Sequence, residues 1–297
     1  MGVFATVQER FPNLSVEQNF SFAAHTTIGC GGEAEAAVSL NSIEECAALL
    51  PFLHERGIPH CYLGAGANVL PYDGVYHGVV VRFCGMRLLA REGNTVFAEA
   101  GVTGGELLRY AAGQHLSAFE HFTGIPMTVG GGVAMNAGIS AGHFSDLVEK
   151  VVAFDGRAVR RFSAAECEFR EKQSVFLEGI AVLGVYLRAR ESFPEQIAQN
   201  LCYYRNKRAH LPKGKSMGCT FVNPTGISAG KLIEDCGLKG KRIGNAFVSE
   251  KHANFIINCG NCAQDIALLV EEIKNTVYKK TGILLREEIR RIGYEVL

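Results

Sequence analysis

An α+β chain in three consecutive regions is what the 297-residue sequence predicts, on three observations. Strand, helix and strand signals alternate over roughly residues 20 to 84, the order of a small α/β unit. Strand signals then dominate up to about residue 200, with a glycine-rich stretch near the middle of the segment. From about residue 201 the pattern changes to short strands around the clearest amphipathic helix of the chain. The expected domains are therefore 1–84, 85–200 and 201–297. This length suits two or three domains, and an apolar content of 47% is enough to fill their cores.

Each element has a local reason. The first twenty-four residues read as an irregular arm with a short helix around Val7 to Arg10. Ala36 to Leu40 is a short strand, and Ser42 with Glu45 makes a capping box for a helix whose apolar face is Ile43, Cys46, Leu49, Leu50 and Leu53. Gly57 ends that helix, and His60 to Leu63 follows as a strand. Strands are expected at 78–83, 95–100, 151–154, 158–162 and 180–188, with a helix from Thr103 to about His115. In the last region Ser228 to Gly237 is a short helix, and Phe247-Val248 and Ala253 to Asn258 are strands. Ile266, Leu269, Val270, Ile273 and Val277 define the long helix, which Gly282 stops. Ile283 to Leu285 begins a last strand.

Composition narrows the function. Thirty lysines and arginines balance thirty aspartates and glutamates, so no global field points to nucleic acid or membrane, and any anion site must be local. No apolar run approaches the ~18 residues of a membrane span, and the N-terminal stretch has no signal-peptide core. The expectation is a soluble, cytoplasmic protein. Its ten cysteines are scattered and read mainly as small buried hydrophobes, not as a disulfide framework. Cys259-Gly-Asn-Cys262 has half-site spacing but no second pair, so it reads as a turn and no metal is expected.

Two glycine stretches stand out. Five of the fifteen residues from Gly124 to Gly138 are glycine, three of them consecutive at Gly130, Gly131 and Gly132. The earlier one is Leu63-Gly-Ala-Gly-Ala-Asn-Val-Leu70. A flexible linker would carry serine and charge; these are flanked by apolar residues, which suggests backbone held close to something large. Bare peptide N–H groups can meet phosphate oxygens, so the pair is read as embracing one dinucleotide. Neither fits the G-x-G-x-x-G pattern, which argues against a Rossmann site. Tight turns between buried strands are the competing reading of either stretch alone.

Five blocks, in order, resemble one family. They are Gly64-Ala-Gly-Ala-Asn68; Gly124-Ile-Pro with Val-Gly-Gly and Met-Asn-Ala-Gly138; Gly218-Cys-Thr-Phe-Val-Asn-Pro224; Ala229-Gly with Leu-Ile-Glu and Gly-Leu-Lys-Gly240; and Leu285-Arg-Glu-Glu288. Together they are similar to the UDP-N-acetylenolpyruvoylglucosamine reductases, flavoenzymes of bacterial peptidoglycan synthesis. The resemblance runs from about His25 to Gly293. It implies a two-domain FAD-binding fold of the vanillyl-alcohol-oxidase type plus a C-terminal α/β substrate domain. It also implies FAD and NADPH as cofactors and UDP-N-acetylglucosamine enolpyruvate as substrate.

The same resemblance assigns residues. Gly64, Ala65, Gly66, Ala67, Asn68, Gly124, Ile125, Pro126, Gly130, Gly131 and Asn136 would line FAD. Cys219 stands at the family's serine acid, and a thiol, with an unperturbed pKa of ~8.5, is chemically able to serve. Asn223 matches a substrate-binding asparagine, with Val222 at the usual lysine. Glu288 matches the catalytic glutamate, with Arg286 departing at the preceding acidic position. Lys172 falls at the family's arginine, where a one- or two-residue slip would recruit Arg170 instead. Lysine keeps the charge there but loses the bidentate fork. Met127, where the family has glycine, and Gly29, where many members have a basic residue, also depart.

The run Tyr203 to Lys215 suggests Tyr203, Arg205, Lys207 or Arg208 for a diphosphate, against the plain reading of a solvated face. The resemblance places His252 at a substrate-facing position, against the plain reading of a satisfied structural histidine. The partners implied are the UDP-sugar and NADPH, with no nucleic acid or membrane, on a monomer or weak homodimer. These departures leave a second class open, an FAD-binding paralogue with altered or lost catalysis.

Overall fold

The computed structural model describes residues 2–294 and divides the chain into two compact units. One comprises residues up to Gln18, Ala36–Ala65 and Gly78–Ala209; the other Asn19–Glu35, Gly66–His77 and the chain from His210 on.

The first unit is built around an antiparallel five-stranded sheet. Its order is Val159–Ser163, Val148–Phe154, Ala181–Arg188, Thr95–Glu99 and Leu89–Glu92. The central strand Ala181–Arg188 is buried on both faces. Val182, Val185 and Leu187 enter one core with Val96, Ala98, Leu107, Phe122 and Phe144. Ala181 and Leu183 enter another with Val38, Leu49, Leu53, Val79 and Val81. That double burial is why the strand reads as an unbroken apolar run instead of an alternating one. The second core packs under the helix Ile43–Glu55. A four-stranded sheet of order Ser15–Ser21, Glu33–Ser39, Val75–Arg82 and His60–Tyr62 accompanies it.

The capping logic holds with one change. Ser42 Oγ accepts from Glu45 N–H at 3.2 Å, but Glu45 Oε2 accepts from Asn41 N–H at 2.6 Å instead of from Ser42. The helix Gly104–Gly113 carries a complete capping box from Thr103 and Glu106.

The second unit has one core, in which Ile28, Cys30 and Leu70 join Phe221, Ile233, Ile256, Leu269 and Ile273. Its long helix is Ala263–Thr281, stopped by left-handed Gly282 at φ 72°. The N-cap residue Cys262 supplies no acceptor of its own. Asp73, nearly two hundred residues earlier, does so: its carboxylate accepts from Ala263 N–H at 2.7 Å and Gln264 N–H at 2.8 Å. Cys262 Sγ lies 3.4 Å from the same carboxylate. Among the described residues no group of His, Cys, Asp or Glu is arranged to hold a metal ion.

Four expectations change. The N-terminal arm contains a regular strand, Ser15–Ser21, whose residues are mostly exposed and carry no apolar alternation. Val129–Ala134 within the glycine stretch is a helical turn, because Thr128 caps it and apolar burial overrides glycine's poor propensity. The basic run is the end of the helix Pro194–Arg208, which buries Ile197 alone and therefore shows almost no sequence periodicity. The last strand is Arg290–Ile292, not Ile283 to Leu285.

Replacing Asp73 with alanine removes both helix-end acceptors and should destabilise the protein by about 1–2 kcal/mol, read as a lower urea midpoint. Asp73→Asn, which keeps one acceptor oxygen, should lose less.

Candidate active site

The two glycine stretches meet. A Cβ at residue 64 would stand 2.5 Å from Thr128 Oγ1, the hydroxyl that caps Val129–Ala134, and 3.8 Å from Gly131 Cα. Thr128 Oγ1 in turn accepts from Gly131 N–H at 3.3 Å. At Gly66 (φ +64°) a Cβ would stand 2.3 Å from the His25 carbonyl, and at Gly130 2.8 Å from Ala100 Cβ. The missing side chains thus serve first to let protein segments close on one another.

The peptide donors of the first turn remain available. Among the described residues, the N–H groups of Gly64, Ala65, Gly66 and Ala67 meet no protein acceptor, although Gly66 is buried. Consecutive N–H groups in a turn with a left-handed residue form an anion-binding concavity, the donor set an FAD pyrophosphate requires. Gly124 and Pro126 are exposed, Ile125 and Gly131 half-buried. Arg208 Nε lies 3.3 Å from where a Gly124 Cβ would stand. Of the basic run it is therefore Arg208 that reaches the glycine stretch, a contact that only the unrecognised helix could have disclosed. Tyr203 and Lys207 are exposed and stack on each other, with Nζ 5.7 Å from the ring centroid.

Asn136 and Asn68 act as struts. Asn136, buried and at φ 42°, donates through Nδ2 to the Arg170 carbonyl at 3.0 Å and accepts through Oδ1 from Ser145 N–H at 2.9 Å. It ties the hairpin at residues 138–143 to the turn that carries Lys172. Asn68 donates from Nδ2 to the Glu288 carbonyl at 2.9 Å, and its own carbonyl accepts from Arg290 N–H at 2.9 Å.

Lys172 and Arg170 differ in setting. Lys172 sits at φ 58° in a turn closed by Arg170 and Gln173, and its ammonium donates to the Gly138 carbonyl at 3.1 Å. The Arg170 side chain is 74% exposed and reaches Glu168 at 3.9 Å. Ser174 Oγ, donating to the Ala134 carbonyl at 2.6 Å, pins the end of this turn.

In the second unit, residues 219–222 lie between two neighbours. Cys219 is bridged to Phe255 and Phe221 to Glu287. Glu288 N–H donates to the Thr220 carbonyl at 2.8 Å, so the Cys219 and Glu288 segments are hydrogen-bonded to each other. Glu287 is committed elsewhere, to Lys274 at 3.2 Å and Arg291 at 2.9 Å. Burial alone would raise its pKa, but these two cations hold it below the ordinary carboxylate value. Asn223 Oδ1 accepts from Ala229 N–H at 3.0 Å, and the residue is exposed. His252 accepts from Asn254 N–H at 3.3 Å, and burial lowers its pKa, so the ring is neutral.

Residues 34–159 match the family description "FAD binding domain", and residues 209–292 match "UDP-N-acetylenolpyruvoylglucosamine reductase, C-terminal domain". The chain thus joins an FAD-binding domain to the C-terminal domain of a UDP-N-acetylenolpyruvoylglucosamine reductase in a mixed α+β fold, and this pairing defines a flavoprotein oxidoreductase. The UDP-N-acetylenolpyruvoylglucosamine reductase of Geobacter metallireducens is 36% identical over 279 residues, 92% of each chain. That of Clostridium novyi is 35% identical, over 94% of this chain and 93% of its own. The crystal structure of the enzyme from Thermus caldophilus superposes with a TM-score of 0.81 at 34% identity, over 94% of this chain and 100% of the other. The chain belongs to the UDP-N-acetylenolpyruvoylglucosamine reductase family.

Gly66→Ala should weaken FAD binding by about tenfold or more, since the new Cβ must displace the His25 carbonyl and with it the donor turn. Gly57→Ala has the same sign of φ (+60°) and nothing within 4 Å of its Cβ, so it should cost backbone stability and leave FAD affinity alone. Fluorescence titration of the apoprotein with FAD compares them.

Proposed function

We propose that this protein is the NADPH-dependent flavoenzyme that reduces UDP-N-acetylglucosamine enolpyruvate to UDP-N-acetylmuramate. The observation that carries this reading is the direct hydrogen bonding of the Cys219 and Glu288 segments, which match two of the family's catalytic motifs. On this reading the enzyme is cytoplasmic, a monomer or weak homodimer, and serves peptidoglycan synthesis and hence cell shape and division. Its partners are the UDP-sugar and NADPH, with no nucleic acid or membrane. Residues 1–84 and 85–200 form the two FAD-binding parts and 201–297 the substrate part. No helix among the described residues is long and apolar enough to cross a membrane.

Bound FAD would supply the hydride chemistry between NADPH and the enolpyruvyl double bond. Gly64 to Ala67 would offer it peptide donors, and the Thr128-capped turn with Gly124, Ile125, Pro126, Gly130 and Gly131 would give it a wall. Asn68 and Asn136 hold these segments in place.

Adding hydride to the methylene carbon drives charge onto the neighbouring carbon and its carboxylate. The Lys172 ammonium stabilises that enolate-like charge. Cys219 then delivers a proton to the carbanionic carbon, as a thiol whose ordinary pKa of ~8.5 lies far nearer neutrality than a hydroxyl's. Glu288 supplies the carboxyl group that the family uses at the same centre. Asn223 and His252 are the UDP-sugar residues of the second unit, and Tyr203 and Lys207 those of the first, where Arg208 lies beside Gly124.

The purified protein should be yellow, bleach with NADPH, and regain its colour on addition of UDP-N-acetylglucosamine enolpyruvate. A protein that bleaches but does not reoxidise would be a flavin-binding paralogue, and one that takes up no FAD would sink both readings. Cys219→Ala should lower turnover by about 10²–10⁴-fold, the range for a lost general acid, while NADPH still bleaches the flavin. Cys219→Ser should recover part of the loss with a displaced pH profile. Glu288→Gln should stop turnover while NADPH still bleaches the flavin, whereas Glu287→Gln, which breaks two ion pairs, should mainly lower the melting temperature.

A further inference from the structure

An arginine holds a carboxylate with two parallel N–H donors; a lysine ammonium is a point charge without that fork. Lys172 also spends one donor on the Gly138 carbonyl. A carboxylate resting on Lys172 alone would therefore lack a second, directed donor. The hairpin that carries Gly138 places one beside it.

In that hairpin His143 stands directly opposite Gly138. The imidazole lies over the glycine, with Cδ2 only 2.8 Å from where a Gly138 Cβ would be. A side chain at residue 138 would meet the Gly142 carbonyl and His143 Cα even before the ring, so the bare glycine lets the two strands close and brings His143 and the carbonyl-bound Lys172 ammonium to the same peptide unit. His143 is half-buried, and its backbone N–H is fixed by Asp146 Oδ2 at 2.8 Å. Asn136 braces both sides, reaching Ser145 beyond the hairpin and Arg170 in the Lys172 turn.

The charges around the ring suit a neutral donor. Burial and then Lys172 lower the pKa of His143, while Asp146 and Glu171 oppose them. His121, packed against Gly142 of the same hairpin, is also kept neutral by burial, and among the described residues its Nε2 meets no partner. Lys172 thus acts on an uncharged imidazole, that of His143. An uncharged imidazole keeps one N–H and does not repel the ammonium.

We propose that His143 supplies the second hydrogen-bond donor to the enolpyruvyl carboxylate, completing with Lys172 a two-residue clamp where the family uses one arginine. The inference rests on the reductase reading above and adds a binding residue that the sequence motifs do not contain.

A double-mutant cycle tests it. The dissociation constant of UDP-N-acetylglucosamine enolpyruvate is measured from the change in the flavin band of the oxidised enzyme, with flavin content reporting intact folding. His143→Ala should raise it by about tenfold, the loss expected for one hydrogen bond to a charged group, and His143→Gln, which keeps an N–H, should restore most of it. In a Lys172→Arg background the guanidinium fork supplies the missing donor, and His143→Ala should then cost less than about threefold. An equal loss in both backgrounds, or an unchanged constant in the single variant, overturns the clamp. Wild-type enzyme that binds and turns over this substrate while the cycle fails leaves the reductase reading standing. Wild-type enzyme that neither binds nor is reoxidised by it overturns both.

Discussion

One hydroxyl fixes the geometry on which the cofactor site depends. Thr128 Oγ1 caps the helical turn Val129–Ala134 and occupies the space that a side chain at residue 64 would need. Through it the strand His60–Tyr62 delivers its following turn onto a segment sixty residues later, without either chain having to bend around the other. The consequence is electrostatic as well as steric. Closing the turn at Gly64 to Ala67 leaves its N–H groups without an acceptor among the described residues, and consecutive unpaired donors in a turn favour an anion.

Two positions singled out in the sequence, Met127 and Gly29, are fixed by their neighbours. Met127 is buried, and its space exists because residues 104 and 132 are glycine: Cβ atoms there would lie 3.3 Å from Met127 Cε and 3.1 Å from its Sδ. At Gly29 the stem of Lys215 fills the space a side chain would take, with Nζ 3.2 Å from the position of the missing Cβ. Close packing leaves no slack at either place, since extra methylenes forced into a filled core cost roughly 1–3 kcal/mol.

Much of this was legible in the sequence where a local cause decides the outcome. The helix Ile43–Glu55 and the long helix Ala263–Thr281 announce themselves by period and by Ser42 and Gly282 at their ends. The glycine stretches signalled close approach, though the reason lay in Thr128, Ala100 and the His25 carbonyl more than in a bare surface for the cofactor. What stayed hidden was set by distant partners. Asp73 finishes a helix that begins at residue 263, and no spacing rule connects the two. The helix Pro194–Arg208 buries one residue, so its period vanished behind its charges. Asn68 and Asn136 looked like ligand contacts because asparagine in a glycine loop suits either task; only their hydrogen bonds to Glu288 and to Arg170 and Ser145 reveal the bracing.

Among ten cysteines, position in the fold separates the chemical from the structural. Burial, the leading cause in each case, pushes the thiols of Cys30, Cys46 and Cys167 up to about 12. At that value they neither give nor take a proton near neutrality, and they behave as small apolar side chains. Cys219 is held differently: half-buried, after left-handed Gly218, and bridged through its backbone to Phe255. Its backbone pairing holds the residue at the margin of the core instead of inside it. On the proposed mechanism the proton donor must be fixed in direction yet able to exchange with solvent between turnovers. A half-buried residue held by its main chain suits both demands, and a thiol buried in the core suits neither.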